Sequence, residues 1–395
     1  MLWAVKNKII VVKVVHVINM GGFGGAEKLL LQLLPALQQR GQITLLLCYR
    51  SSAAAPAKKM KEELNVANLP VIAIEYQNGF RKKFLKDLAK HINEGKYDLV
   101  HSHLQHANLW LAILKFKKWI STPVLTTLHG YRDSYQNSHG LIINWRLFFS
   151  AYYWMSRWIL KKLEGHIVIS RCLRDFFVSA RLLSPVSMKV IYHGYELPPN
   201  SSAPVTDSTG RLKNPQIALP GRLIQLKGHL FAIEMLRQLQ PRFPGMRLHF
   251  FGDGPYKDDI VKAIERTGLR DAVVLHGYVH DLQASLKKCQ LAVLPSIYES
   301  FGLVFLDCFA AGLPVVAFDL PAGNEIVVNG ETGLLTKPRC SDGLTKAVAD
   351  LCEDADLRNR LKKNGWHALT SQFSMHRMAE EYWQYYSELS QNSRH

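Results

Sequence analysis

Short apolar runs rich in β-branched residues alternate along the chain with longer stretches whose apolar positions recur at helical spacing. Residues 12–18 form a run continuous enough for a strand buried on both faces. Residues 26–39 follow, with Leu29, Leu30, Leu33, Leu34 and Leu37 on one helical stripe. Residues 43–48, 71–74, 99–101, 124–128 and 165–169 predict further strands with helices between them. That alternation is the pattern of a parallel, doubly wound α/β sheet. Residues 198–212 are rich in Pro, Ser and Thr and read as a linker. Beyond them the alternation restarts, with strands predicted at 216–219, 247–252, 272–276, 291–295 and 315–318 and a helix from about Gly228. Residues 375–389 predict a last helix carrying Tyr382, Trp383, Tyr385 and Tyr386. The expected division is a first domain (1–197), a linker (198–212), a second domain (213–372) and a terminal helix (373–395) packed back on the first domain. Open α/β sheets take ligands at the C-terminal ends of their strands, so a site shared across the cleft is expected.

Length agrees with two domains, since 395 residues exceed what one core usually serves. Six scattered cysteines without a C-x-x-C motif predict reduced thiols and a cytoplasmic setting. The apolar run at 9–18 is broken by Lys13 and His16, so it reads as a strand rather than a membrane span, and without a small-residue cleavage site it is not read as a signal peptide. Charge changes the picture more. The net charge is +17, and up to Glu196 there are 27 Lys and Arg against 11 Asp and Glu, leaving 22 against 21 in the remainder. Such asymmetry reports a partner more than a fold. The basic residues concentrate in Arg81-Lys-Lys-Phe-Leu-Lys86 and in an aromatic-basic stretch from Trp110 to Lys162. Interleaved Trp, Tyr and Lys/Arg suit an anionic membrane surface; the plainer alternative is a helix with aromatics in the core and charges in solvent. No helix-turn-helix, zinc-finger or RNA-binding signature accompanies the charge, so nucleic acid is not the expected partner.

Three segments carry candidate chemistry. In Glu299-Ser-Phe-Gly-Leu-Val-Phe-Leu-Asp307 a strand ends, the chain turns and a helix begins, leaving free backbone N–H groups that receive an anion. Glu299 and Asp307 suit sugar or ribose hydroxyls, which points to a nucleotide-linked sugar. Gly221-Arg-Leu-Ile-Gln-Leu-Lys-Gly228 follows the first strand of the second domain, where Arg222 can fork onto phosphate oxygens and Lys227 adds a point charge. The glycine turn Gly21-Gly-Phe-Gly-Gly25 has Glu27 in place of a third fingerprint glycine and lacks the Lys-Ser/Thr of a P-loop. It therefore excludes a nicotinamide fingerprint and an NTPase loop, and positive φ is expected at some of its glycines. His101 and His103 end a strand, but no third ligand accompanies them, so they are not read as a metal site. Asp354-Ala-Asp356 lies at a helix start and is explained by the helix dipole.

Gly24-Gly-Ala-Glu27, Thr127-Leu-His-Gly130, the Gly221–Gly228 loop, Phe251-Gly-Asp-Gly-Pro255, the Glu299–Asp307 segment and Ala311-Gly-Leu-Pro-Val315 occur in that order. Together they resemble a retaining glycosyltransferase of family 4, the group-1 glycosyltransferases. The resemblance implies the GT-B fold, two Rossmann-like doubly wound domains facing each other across a cleft. It implies a nucleotide-sugar donor held mainly by the second domain and an acceptor on the first. Arg222 and Lys227 would bind the diphosphate as leaving group, Glu299 would hold sugar hydroxyls, and the backbone through Ser300, Phe301, Gly302, Leu303 and Val304 would contact sugar and phosphate. Val279 would mark where the backbone reads the base, Gly24 and Gly25 would approach the phosphates, and His129 would sit beside the reacting sugar. Asp307 stands where the family has a ribose-binding Glu, and the missing methylene shortens its reach by roughly 1.5 Å. His193 stands where the family commonly has Asn before Gly, and nothing in the sequence explains it.

The implied reaction is metal-independent transfer with retention, from a UDP-sugar first or a GDP-sugar second, to a glycan or lipid-linked acceptor. Its implied setting is the inner face of the cytoplasmic membrane, in the synthesis of surface polysaccharide, lipopolysaccharide or glycolipid. Two alternatives are a GT-B enzyme with a soluble sugar or phosphate acceptor, and a non-catalytic surface-binding protein that retains a donor pocket. No cofactor is expected.

Overall fold

The computed structural model describes residues 12–22, 24–77, 79, 81–131, 136–137, 140–141, 145–198, 201–206 and 210–392. In the first domain, β1 (Lys13–Met20) leads to α1 (Gly25–Gln38), β2 (Gln42–Tyr49), α2 (Ala54–Val66) and β3 (Val71–Glu75). The chain continues through α3 (Lys82–Glu94), β4 (Leu99–His103), α4 (Gln105–Phe116) and β5 (Val124–Leu128). A two-residue antiparallel pair, β6 (Gln136–Asn137) and β7 (Gly140–Leu141), precedes α5 (Ala151–Leu160), β8 (Gly165–Val168), α6 (Arg171–Ser179) and β9 (Met188–Val190). The seven long strands form one parallel sheet in the order β3-β2-β1-β4-β5-β8-β9.

The second domain runs β10 (Gln216–Pro220), α7 (His229–Leu239), β11 (Arg247–Phe251), α8 (Lys257–Thr267), β12 (Val273–Leu275), α9 (Leu282–Leu286) and β13 (Leu291–Leu294). It then adds α10 (Leu303–Ala310), β14 (Val315–Phe318), β15 (Gly333–Thr336), α11 (Ser341–Glu353) and α12 (Ala355–Ser371). Its sheet is also parallel, in the order β12-β11-β10-β13-β14-β15. Helices cover both faces of each sheet, which is why strands such as β4, β5 and β13 are buried at every position; β13 is an unbroken apolar run, while β4 also buries His and Ser and β5 Thr. Strands β9 and β15 are short edge strands outside the predicted runs, whereas the equally short edge strand β12 falls within the predicted 272–276.

In both sheets the winding reverses beside the first strand, between β1 and β4 and between β10 and β13. Helices leave those neighbouring strands toward opposite faces, so a crevice opens at their C-terminal ends. The glycine turn after β1, the Gly221–Gly228 loop after β10 and the Glu299 segment after β13 all fall at these two points.

Burial divides the basic clusters between core and solvent. In α3, Phe84 and Leu85 point into the core while Lys82, Lys83 and Lys86 face solvent. The aromatic-basic stretch is not one helix but two, α4 and α5, and it divides. Trp110 and Tyr153 are buried, the latter donating to the Ala180 carbonyl, whereas Phe116, Phe149 and Trp154 are 60%, 80% and 59% exposed. The Trp145 and Arg146 side chains lie outside the described residues.

The last helix, α13 (Met375–Asn392), packs along α1 and against β4, closing the core of the first domain with Met378, Tyr382 and Tyr386. The phenol of Tyr386 meets His101 Nδ1 at 2.6 Å, and Thr127 Oγ1 lies 2.8 Å from His101 Nε2 and 3.0 Å from the Tyr382 hydroxyl. Removing the Tyr386 hydroxyl leaves a buried imidazole nitrogen unpaired, which costs about 1–3 kcal/mol. Tyr386→Phe should therefore lower the denaturation midpoint, whereas the exposed Gln384→Ala should stay within about 0.5 kcal/mol of wild type in the same urea titration.

Candidate active site

The loop after β10 is shaped by a left-handed glycine. Gly228 has φ +71°, and a Cβ there would fall 1.9 Å from the Pro295 carbonyl oxygen, so the loop can lie against the end of β13 only with glycine at this position. That contact carries Lys227 to Glu299. Lys227 Nζ lies 2.5 Å from Glu299 Oε1, which also accepts from Ser296 Oγ at 2.8 Å. Both side chains are largely shielded, at 18% and 12% exposure. Arg222, five residues earlier, is exposed and has no side-chain partner among the described residues. The two basic residues thus differ, one held by a carboxylate and one free to receive an anion.

Beyond Glu299 the chain turns through Gly302, at φ +103°, into α10, so Leu303 and Val304 begin a helix whose first N–H groups face the crevice end of β13. Phe301 is buried and anchors the turn. Asp307 lies one turn into α10, where burial pushes its carboxyl up to about 6, opposed by a hydrogen bond from Tyr195 and by the charge of Lys28. Gln283 braces the same place, its amide donating to the Tyr195 hydroxyl at 2.8 Å and to the Asp307 carbonyl at 3.0 Å. Neither Tyr195 nor Gln283 is distinguished by the local sequence pattern; Gln283 comes in from α9, which packs on α10, and Tyr195 from the segment after β9. Val279 is half-buried, and its neighbour Tyr278 is 65% exposed with Lys28 Nζ 5.9 Å from its ring centre.

On the facing domain, α1 begins at Gly25, capped when Glu27 Oε2 accepts the Gly24 N–H at 2.9 Å. Positive φ is not the reason for this glycine turn. Gly21, Gly22, Gly24 and Gly25 all lie outside the positive-φ range, and a Cβ at Gly21, Gly22 or Gly25 would meet nothing within 4 Å. The turn instead leaves backbone open to an incoming group.

His129 follows β5, and its Nε2 is shielded and without a hydrogen-bond partner among the described residues. Desolvation holds its pKa down at about 4, so the ring is neutral at ordinary pH. His193 is buried, its ring stacked 5.6 Å from His129 and edge-on 5.1 Å from Phe301. This gives the position a physical account: His193 links His129 of the first domain to Phe301 of the Glu299 segment in the second. The pair at His101 and His103 also needs correction, because β1 supplies a third imidazole. His16 Nδ1 lies 2.9 Å from His103 Nε2, and one ligand atom of each of the three lies within 4.8 Å of the others. Pairing of β1 with β4 sets His16 opposite His101, a relation between residues 85 apart that spacing along the chain does not show. All three rings are pushed well below the usual histidine range by burial. Asp354 caps α12, its carboxylate accepting from Leu357 N–H, as a helix-start residue does.

The domains are joined at the cleft. Glu325 of the second domain accepts from the backbone N–H groups of Arg171 and Cys172, both at 2.7 Å, and from the Tyr192 hydroxyl at 2.8 Å. Ser170 Oγ donates to the Ser300 carbonyl at 2.8 Å, tying the start of α6 to the donor loop.

The two halves match two family models, "Glycosyltransferase Family 4" over residues 23–197 and "Glycosyl transferases group 1" over residues 207–367. An exopolysaccharide phosphotransferase of Streptomyces coelicolor is 37% identical over 161 residues, which is 40% of this chain and 17% of that protein. The chain thus spans less than a fifth of that relative. A Campylobacter jejuni N-acetylgalactosamine-N,N'-diacetylbacillosaminyl-diphospho-undecaprenol 4-alpha-N-acetylgalactosaminyltransferase is 22% identical over 86% of this chain and 90% of its own. Among solved structures, Anabaena HepE in complex with UDP and glucose superposes with a TM-score of 0.76 at 21% identity, over 95% of this chain and 100% of that one. Two doubly wound parallel sheets with their switch points at one cleft, and both family models matched in order, place the chain in glycosyltransferase family 4 with the GT-B fold.

Proposed function

We propose that the chain transfers a sugar, with retention, from a nucleotide-sugar to a hydroxyl of a membrane-associated acceptor. UDP is the first choice of nucleotide and GDP the second. The observation that carries this reading is the unpartnered Arg222 beside the Lys227–Glu299 pair, at the switch point of the second sheet and next to the start of α10. A diphosphate there gains a guanidinium, an ammonium and free helix N–H groups, while Glu299 is left to accept sugar hydroxyls. The UDP bound to HepE and the polyprenyl-linked acceptor named for the Campylobacter relative support the donor and acceptor classes.

In this reading Arg222 and Lys227 stabilise charge developing on the departing diphosphate, which is electrostatic catalysis by groups already in place. Lys227 approaches the phosphate as it loosens from Glu299. His129, neutral and shielded, serves as a hydrogen-bond partner beside the reacting sugar rather than as a cation. The acceptor hydroxyl attacks from the face the diphosphate leaves, its proton passing to a leaving phosphate oxygen. The residues named here perform this without assigning a metal ligand. Exposed Phe116, Phe149 and Trp154, with Lys162 Nζ 5.6 Å from the Phe116 ring, support contact with an anionic bilayer at the cytoplasmic face. No helix among the described residues is long and apolar enough to cross a membrane.

Arg222→Ala should lower kcat/KM by about 10²–10³-fold while its unfolding free energy stays within roughly 0.5 kcal/mol, because the side chain is exposed and unpaired. Turnover of UDP-glucose or UDP-N-acetylglucosamine with a lipid-linked acceptor, followed alongside denaturation, measures both; an unchanged rate would sink the assignment.

Asp307 yields a pH dependence with a defined sign. Its carboxylate form accepts ribose hydroxyls, and that form is lost as pH falls through about 6. UDP affinity should therefore weaken between pH 7 and pH 5. Asp307→Asn should remove the Asp307 component of this slope, leaving only the nucleotide's own phosphate titration, in parallel calorimetric titrations.

A further inference from the structure

A cavity of about 230 Å³ lies in the first domain directly behind His129. Its wall is mostly carbon, from Leu128, Tyr152, Ile159, Leu160 and Phe177, closed at the cleft side by His129 and Gly130. The polar groups that reach it are largely committed elsewhere. Asn108 Oδ1 accepts from the Ser102 and Thr126 hydroxyls, and Thr127 Oγ1 is engaged by His101 and Tyr382. A free hexose placed here would leave several hydroxyls unpaired in a desolvated site, which is unfavourable. Among the lining residues, His129 Nε2 is shielded and without a hydrogen-bond partner among the described residues, and Gln105 and Ser156 add side-chain polar groups. The occupant that fits is apolar in body with a polar end at His129. That end meets the donor loop, since a Cβ on Gly130 would sit 3.9 Å from Ser300 Cβ.

Helix α5 supplies the second observation. Tyr152, Ser156, Ile159 and Leu160 line the cavity from one side of it. Trp154 and Met155 project to solvent from the other, and the Trp154 indole N–H, fixed to the Phe148 carbonyl at 2.9 Å, holds its ring there. The neighbouring surface carries Lys162 over the exposed Phe116 ring and Lys117 over Trp119, within a domain whose charge is strongly positive. One helix therefore separates an aromatic, cationic face suited to an anionic bilayer from an apolar cavity at the reaction cleft.

We propose that this cavity is a hydrocarbon subsite for the acceptor. It takes the prenyl or acyl segment next to the accepting group, delivered from the bilayer that α5 faces. The inference rests on the acceptor reading above and narrows it to acceptors whose hydroxyl is carried close to a hydrocarbon chain.

The test uses farnesyl phosphate, geranyl phosphate, inorganic phosphate and glucose as probes below any micellar concentration, read by intrinsic fluorescence and thermal shift. Farnesyl phosphate should bind at least tenfold more tightly than geranyl phosphate, with no response to inorganic phosphate or glucose. Ser156→Phe, which fills the cavity, should weaken farnesyl phosphate at least tenfold. Tyr152→Ala, which enlarges it, should shift the chain-length preference, so that the proposal stays testable if the first variant does not fold; circular dichroism melting checks each. Affinity that ignores chain length, follows phosphate alone, or stays within twofold in folded Ser156→Phe overturns the proposal, as does binding of glucose in place of the prenyl probe. A parallel titration of the wild-type protein with UDP separates the two readings. Farnesyl binding without a UDP response sinks the donor assignment and leaves the cavity assignment standing, and the reverse result sinks only the cavity.

Discussion

The constraint on which the rest of this structure depends is the reversal of winding beside the first strand of each sheet. A parallel sheet must be covered on both faces, and the helices doing so leave β1 and β4, or β10 and β13, in opposite directions. No backbone can fill the gap between them without burying its own N–H and C=O groups unpaired. The gap therefore remains as a crevice edged by loop amides and the start of α10. Every segment with candidate chemistry after β1, β10 and β13 lies on its rim.

Charge within the cleft is divided rather than uniform. The second domain presents Arg222 exposed and Lys227 paired with Glu299, so one of the two cations is available without breaking an ion pair and the other is not. The first domain presents imidazoles that burial keeps neutral at His129 and His193. A neutral, polarisable floor thus lies opposite a cationic wall. Domain contacts preserve this arrangement. Glu325 caps the start of α6 from the other domain, Ser170 holds the Ser300 carbonyl, and α13 returns from the second domain to close the core of the first.

The strands that carry the site could be read from the chain because each is dominated by a short apolar stretch, and the Gly221–Gly228 loop because glycine and basic residues follow such a stretch immediately. Gly228 and Gly302 were legible as turn residues for the same local reason. What eluded a linear reading depended on residues distant in sequence. His16 completes the buried imidazole group only through strand pairing, Tyr195 reaches Asp307 only across the domain boundary, Gln283 meets it where α9 packs on α10, and Glu325 reaches α6 only across the cleft. The aromatic-basic stretch is the clearest case, since identical residue types took opposite fates: Trp110 and Tyr153 entered the core, while Phe116 and Trp154 stayed outside.

By itself, then, the sequence determined two doubly wound α/β domains, because strand runs, helical stripes and glycine turns are encoded over short distances, and the order of its motifs carried the resemblance to glycosyltransferase family 4. Only the tertiary structure decided that Lys227 is paired and Arg222 is free, that His193 bridges His129 and Phe301, and which face of α5 lines a cavity. Those outcomes depend on which surfaces meet when the sheets are covered and the domains close, and burial, pairing and desolvation are properties of that meeting rather than of any local stretch of chain.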